Sequence, residues 1–411
     1  MWYRVKYCFI TFLFSICTLI SSANELVIGT TFSPEGIAHL LNEWNKQPGA
    51  FQVTTLNRTS SSLNQLLSSE KPNNVEVDLI LSSSPMLFYN LQEKQRLAAL
   101  PAALNRYDKQ FVPSLLQNTT LAFALSGYGM LVNTALLAQR KISAPTSWQD
   151  LTDPNMQGMI MISSPTRSDT NHIIIEALLQ KYGWQSGWEL IHQIMANAGT
   201  VSSRSFGVVD KVRANIGAVG ITIDNYAYLL KQKNTAHLTF QYFESFPVSP
   251  TFIAILNRSR KKEQAQKFIE FILSERGQMI LNDGQMGKLP IRSLPDSSPN
   301  SNIQKYLLAQ PKVDYNLLIK RQYLVKVLFE QQIIYRLNQL QENWKMLYQK
   351  ERQLNRRLPE LCKILTALPV SAEQSSESQY LDNFNPEREL FHWQQFFINQ
   401  QIEFIKAVEK L

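Results

Sequence analysis

From Glu25 onward, short alternating apolar runs give way repeatedly to stretches whose apolar positions recur every three or four residues. "ELVIGTT", "FQVTTL" and "VEVDLILSSS" read as strands, with "PEGIAHLLNEWNK" and "SSSLNQLLSS" as the helices between them. The first helix places Ile37, Leu40, Leu41 and Trp44 on one face. Strands alternating with helices predict a parallel α/β sheet, and in open sheets of that kind ligands bind beyond the C-terminal strand ends. All three ends carry polar groups: Thr30, Thr31 and Ser33 after the first, Arg58, Thr59 and Ser60 after the second, Ser82, Ser83 and Ser84 after the third. Loops are polar for ordinary reasons too. Recurrence on three consecutive strand ends of one edge points to a ligand.

"LAFALSGYGMLVNTALL" breaks the pattern with Gly127, Tyr128 and Gly129 between two apolar runs, which reads as a flexible pivot where the chain crosses between domains. A turn-rich entry then leads to a strand ending at Ile162, to the loop "SSPTRSDTNH", and to the apolar helix "IIIEALLQ". "SSRS" (202–205) is a second Ser/Arg loop before a helix and a strand that ends at Asp224. "PVSPTFIAILN" reads as a strand returning to the first domain, and "KKEQAQKFIEFILSERGQMILNDG" as one strongly amphipathic helix. Beyond about residue 300, β-like runs cease. A long Gln-rich helical segment carries Leu337, Leu340, Trp344 and Leu347 on one stripe, and a final helix opens at Pro386. The expected organisation is an α/β fold of two lobes joined by hinge crossovers, with an all-α C-terminal extension: 24–126 and 247–298 form lobe 1, 127–246 lobe 2, and 299–411 the extension.

The N-terminus changes the picture of where this chain works. Arg4 and Lys6 precede an apolar run from Cys8 to about Ile20, with small residues at Ser21 and Ala23, the order of a secretory signal peptide (1–23) cut after Ala23. Its removal leaves Cys362 as the single cysteine, so no intrachain disulfide can form. An exported chain with 44% hydrophobic residues and no bridges suits the bacterial periplasm, where a large core replaces staples. The net charge of +8 is mild over 411 residues, and no basic-aromatic stretch suggests a nucleic-acid groove. No later apolar run approaches membrane-spanning length.

"PTSWQDLTDPNMQGMIMISSPTRSDTN" (145–171), "IGAVGITIDNYA" (216–227) and "KKEQAQKFIEFILSERGQMIL" (261–281) resemble the type II periplasmic solute-binding proteins, in the branch that also holds ferric-ion and sugar-phosphate binders. The likeness covers roughly residues 1–295. The C-terminal extension makes the chain look most like a transport regulator of this group. That implies a periplasmic receptor that informs a membrane sensor kinase and so induces a phosphoglycerate transporter.

Ferric binders of the family use adjacent tyrosines, a His and a carboxylate. Here those positions resemble Tyr226 followed by Ala227, Ser33 and Ser83, and a hard trivalent ion needs more anionic oxygens than these supply. No other metal or cofactor motif stands out. Hydroxyls, Arg side chains and helix starts suit a phosphate or carboxylate instead, because a helix start offers unpaired N–H groups and Arg a planar fork for two oxygens. Thr166, Arg167, Ser168 and His172 in the first loop, with Ser203 and Arg204 in the second, are candidate ligands for a small phosphorylated anion, phosphoglycerate- or phosphoenolpyruvate-like. Thr31, Ser33, Arg58, Ser83 and Ser84 join them from the first lobe, and Asp224 and Tyr226 could meet the organic portion. Each has an ordinary alternative: Ser168 or Asp169 as a helix cap, Asp224 as a strand-end turn residue. A cleft closing like a hinge on the anion is the expected device.

Ser68-x-x-Lys71 and Ser259-x-x-Lys262 match a short catalytic pattern without its companion motifs, so no enzyme is expected. The extension is either a structural cap or a docking element rich in Phe391, Trp393, Phe396, Phe397 and Phe404. A sensor kinase and an ABC permease are the two partner readings. On the docking reading, deletion of 300–411 leaves ligand binding intact.

Overall fold

The computed structural model describes residues 25–32, 34–69, 76–226, 236–282 and 286–411. The expected signal peptide and its cleavage site lie outside the described residues, as do Ser33, Lys71 and Ala227. The chain divides into two compact units, Met1–Leu125 with Pro250–Ser301, and Ser126–Ser249 with Asn302–Leu411. It passes from the first unit to the second within one strand and back within another.

In unit 1, β1 (Leu26–Thr30) pairs in parallel with β2 (Val53–Asn57) and β3 (Leu79–Ser82). The helices α1 (Pro34–Asn45), α2 (Ser60–Ser68) and α3 (Pro85–Glu93) follow these strands in turn. The predicted face of α1 is the buried one: Ile37, Leu40 and Trp44 pack with Phe268 and Phe271 in the unit's core. Behind the sheet, Asp78 is buried and accepts from Val27 N (2.9 Å) and Ser259 Oγ (2.6 Å).

The 14-residue strand β4 (Thr120–Asn133) is buried throughout and carries the chain into unit 2, where α4 (Thr134–Arg140) follows. The change of unit falls between Leu125 and Ser126, beside the glycines expected at the crossover, and both glycines have close neighbours. A Cβ on Gly127 would lie 2.4 Å from the Tyr242 ring, and one on Gly129 would lie 2.2 Å from Gln241 O. They are small because the neighbouring strand runs over them. Unit 2 continues with β5 (Ile160–Ser163), α5 (Asp169–Tyr182), α6 (Trp184–Ala196), β6 (Ala198–Ser202), α7 (Ser205–Arg213), β7 (Val219–Ile223) and β8 (Leu238–Tyr242). β5 pairs in parallel with β6 and β7, and β4 pairs antiparallel with β7 and β8. β8, whose residues are mostly half-buried, escaped the sequence reading.

β9 (Val248–Ile255) returns the chain to unit 1, antiparallel to β3. The helix expected as one piece is two, α8 (Lys262–Leu273) and α9 (Glu275–Asn282). Ser274 divides them by donating to Phe271 O (2.6 Å) and accepting from Gly277 N (3.1 Å). The short β10 (Leu289–Pro290) then pairs with the unit 1 half of β4.

After α10 (Ser301–Leu308) come α11 (Tyr315–Phe329), a π-helical turn (Glu330–Ile334), α12 (Leu337–Leu354), α13 (Pro359–Thr366), α14 (Ser378–Asp382) and α15 (Pro386–Glu409). Residues 302–411 belong to the same compact unit as 126–249. The expected single long helix is therefore interrupted by the π turn, and its stripe (Leu340, Trp344, Leu347) is buried. Trp344 Nε1 donates to His192 Nδ1 on α6 (2.8 Å), Trp184 Nε1 donates to Val370 O (2.9 Å), and Phe329 packs on Trp188. Arg321, 4% exposed, forks onto the fully buried Glu176 of α5 with Nε–Oε2 at 2.9 Å and Nη2–Oε1 at 2.7 Å.

Arg321→Met leaves Glu176 buried without a cation, and the expected loss is about 3–5 kcal/mol in urea unfolding. The paired change Glu176→Leu with Arg321→Met should recover most of it. Truncation at residue 301 should expose Trp184 and Trp188 and yield a chain without the cooperative unfolding of the full one. A truncated chain with wild-type cooperativity would show the extension to be dispensable for folding.

His192 generates a pH prediction. Burial lowers its pKa from 6.5 to about 3, so the folded ring is neutral and free to accept from Trp344. Its stability contribution is complete above pH ~6.5 and is lost as pH falls from there toward 3, by up to about 1.4 kcal/mol per pH unit. His172, also pushed well below the ordinary value by burial and by the charges of Lys326 and Arg321, acts in the same direction. The melting temperature should therefore drop below pH 6.5, and less steeply in His192→Asn.

Candidate functional site

Unit 1 gathers its polar groups at the ends of β1 and β3. Thr31 Oγ1 and Ser82 Oγ share a hydrogen bond (2.9 Å), as do Ser83 Oγ and Thr251 Oγ1 (3.1 Å). Ser84 is the N-cap of α3 and accepts from Leu87 N (3.3 Å), with Pro85 suited to the first helical turn. Lys288, only 4% exposed, donates to Ser83 Oγ (3.4 Å) and lies 5.0 Å from the Phe32 ring centroid. The sequence reading missed this cation. Its signal was a lone lysine in "GKLPIRSLP", and only the pairing of the adjacent β10 with β4 brings it near Ser83. Arg58 stands apart, exposed, with Nη1 donating to Asn57 O (3.1 Å).

In unit 2 the loop after β5 folds around Ser164. Its Oγ accepts from Thr166 N (3.2 Å) and its carbonyl accepts from Arg167 N (3.2 Å) and Ser168 N (3.0 Å). That winding leaves the Thr166 and Arg167 side chains exposed. Ser168 caps α5, accepting from Asn171 N (3.3 Å), and its hydroxyl pairs with Ser205 Oγ at the start of α7 (2.9 Å). The two Ser/Arg loops therefore meet: Ser203 and Arg204 are exposed beside that junction. Arg204 also reaches the neighbourhood of Tyr226, whose pKa burial raises and the guanidinium pulls back down. The Ser168 and Ser205 hydroxyls join the starts of α5 and α7, and Thr166, Arg167, Ser203 and Arg204 are exposed on the two loops, residue types that suit an anion.

Two candidates sit differently from their expected places on this wall. His172 is fully buried, its backbone N–H donating to Ser168 O (2.9 Å), because the fourth residue of α5 faces inward. Asp224 is also buried, and Oδ2 accepts from Gly127 N (2.7 Å) and Tyr242 Oη (3.0 Å). It braces β4 against β8 from inside.

Two further side chains with reactive groups are engaged within the fold. Ser259 spends its hydroxyl on Asp78. Burial, with Glu189 beside it, pushes the Cys362 thiol up to about 12. Among the described residues, no group of three or more His, Cys, Asp or Glu side chains could hold a metal ion, and no helix is long and apolar enough to cross a membrane.

Residues 75–316 match the family model of the bacterial extracellular solute-binding proteins, and the chain belongs to that family. Among curated relatives, the phosphoglycerate transport regulatory protein PgtC of Salmonella typhimurium is 44% identical over 393 residues, covering 95% of this chain and 98% of that protein. PgtC of Salmonella typhi gives the same figures. Solved structures share the fold. The periplasmic binding protein AfuA of Actinobacillus pleuropneumoniae, with exogenous fructose-6-phosphate bound, superposes with a TM-score of 0.65 at 20% identity, covering 74% of this chain and 97% of that one. The ferric binding protein of Campylobacter jejuni gives 0.60 at 17% identity, covering 73% and 98%.

Proposed function

We propose that this chain is a periplasmic receptor for a small phosphorylated carboxylate of the phosphoglycerate type, and that it regulates expression of the corresponding transporter through a membrane sensor kinase. The observation that carries the reading is the end-to-end match to PgtC, which spans 98% of that regulator. AfuA and the Campylobacter protein, by contrast, are nearly covered by 73–74% of this chain. The family match and the fold of the periplasmic neighbours support the location.

The site chemistry agrees with the ligand class. A phosphate group brings several acceptor oxygens and no donors of its own at neutral pH beyond one acidic proton. The unit 2 loop offers the complement: Arg167 and Arg204 as forks, Thr166, Ser168 and Ser203 as hydroxyl donors, and the start of α5 as a source of N–H groups. Thr31, Ser83, Ser84 and Lys288 present similar chemistry in unit 1. Tyr226 lies within reach of the Arg204 charge, whereas Arg58 stands apart and His172 and Asp224 are buried, so those three do not line the loop.

The second reading, the substrate-binding component of an importer for organophosphates, is favoured by the solute-binding family itself. Neighbouring genes separate the two: a sensor kinase with a response regulator supports regulation, a permease with an ATPase supports import.

Calorimetry with 3-phosphoglycerate, 2-phosphoglycerate, phosphoenolpyruvate and hexose phosphates tests the ligand class. The mature chain should bind at least one of the three-carbon compounds, and Arg167→Ala should weaken that binding about tenfold or more, the loss of one charge-assisted hydrogen-bonded contact. No heat and no thermal shift with any phosphorylated compound would falsify the ligand reading.

A further inference from the structure

α11 of the extension lies antiparallel along α5, and successive contacts fix the register. At one end Gln180 Nε2 donates to Asp314 O (3.0 Å) and Asp314 N donates to Gln180 Oε1 (2.8 Å). Next comes the Arg321–Glu176 fork. At the far end, just beyond α11, Ser164 Oγ in the β5–α5 loop donates to Glu330 Oε1 (3.3 Å). As the numbers rise from 314 to 330 along the extension, they fall from 180 to 164 along α5 and its loop. Lys326 falls between the last two contacts, where its charge is felt by both Asp169 and His172 in the first turn of α5.

Lys326 is half-buried, and among the described residues it has no hydrogen-bond acceptor or carboxylate at ion-pair distance. Partial burial of an ammonium without a close partner is costly. The groups around it are likewise under-used: both ring nitrogens of His172 and Oδ1 of Asn171 are buried without hydrogen-bond partners among the described residues. Asp169, in the first turn, would by itself oppose an incoming anion, so a cation fixed beside it is what an anion site at this helix start requires.

We infer that the extension is part of the ligand site itself, with Lys326 supplying a cation to the phosphate group held at the start of α5. The inference rests on the phosphorylated-ligand reading above and adds to it a specificity-determining residue from outside the solute-binding core. Glu330, bonded to Ser164, places the same helix end at the loop.

The test is calorimetry of the full mature chain with 3-phosphoglycerate, using Lys326→Met and Lys326→Arg, with the ligand-free melting temperature of each. Lys326→Met should weaken binding about tenfold or more, Lys326→Arg should retain affinity within about threefold, and the ligand-free melting temperature of Lys326→Met should stay level or rise, because a half-buried ammonium is removed. The slope of log Kd against log salt should also flatten in Lys326→Met, a change that a packing role would not produce. Unchanged affinity in Lys326→Met, or a loss that tracks an equal loss of ligand-free stability, overturns the inference while leaving the phosphorylated-ligand reading in place. A wild-type chain that binds no phosphorylated compound overturns both.

Discussion

The buried pair between Glu176 and Arg321 is the constraint around which unit 2 is arranged. Two charges taken out of water are tolerated only where geometry and hydrogen bonding are close to ideal. Here the guanidinium meets both carboxylate oxygens and also lies over the Trp184 ring, at 5.3 Å from its centroid. Neither partner can leave without stranding the other. Because Glu176 sits on the helix whose first turn is capped by Ser168, the extension and the Ser/Arg loop share one helix as their common support. The aromatic contacts of Trp188 with Phe329 and the Trp344–His192 hydrogen bond then extend that join along α6. An added domain tethered by a linker would need none of this.

The sequence was most informative where one chemical pattern determines one local structure. Alternating apolar residues fix β1, and a Ser-Asp pair ahead of an apolar run fixes the cap of α5. It was least informative where long-range packing decides. "KKEQAQKFIEFILSERGQMIL" keeps its helical period straight across Ser274, because a cap residue between two collinear-looking stretches leaves the period intact. Gly127 and Gly129 carry the same symbol whether they bend or make room, and only β8, flanked by residues outside the described set, reveals that they make room. The site divides the same way. Hydroxyl-rich strand ends were visible locally, whereas Lys288 and Lys326 come from segments 205 and 157 residues away from Ser83 and Asp169 in number and belong to no motif.

Burial also sorts the candidate residues into different kinds of work. Thr166, Arg167, Ser203 and Arg204 are exposed and free to meet a solute. His172 and Asp224 are interior, and their placement follows from the elements that carry them: one faces the packed side of α5, the other ends a fully buried strand. A residue type suited to a ligand is equally suited to bracing a wall, and exposure decides between the two. The interior imidazole has a further consequence. Burial, with the charges of Arg321 and Lys326, keeps it neutral, so the positive charge around the two loops comes from Arg167, Arg204, Lys211 and Lys326.

Glu330 connects the β5–α5 loop with the surface of the extension. Its carboxylate accepts from Ser164 in the β5–α5 loop, and it also stands beside Tyr335, where it holds the phenol pKa above the usual tyrosine value. Tyr335 is 68% exposed at the end of the π turn, an irregularity that departs from the regular helical hydrogen-bond ladder and recurs at functional positions in proteins. A change in charge at the start of α5 therefore acts on a carboxylate whose other neighbour is on the surface.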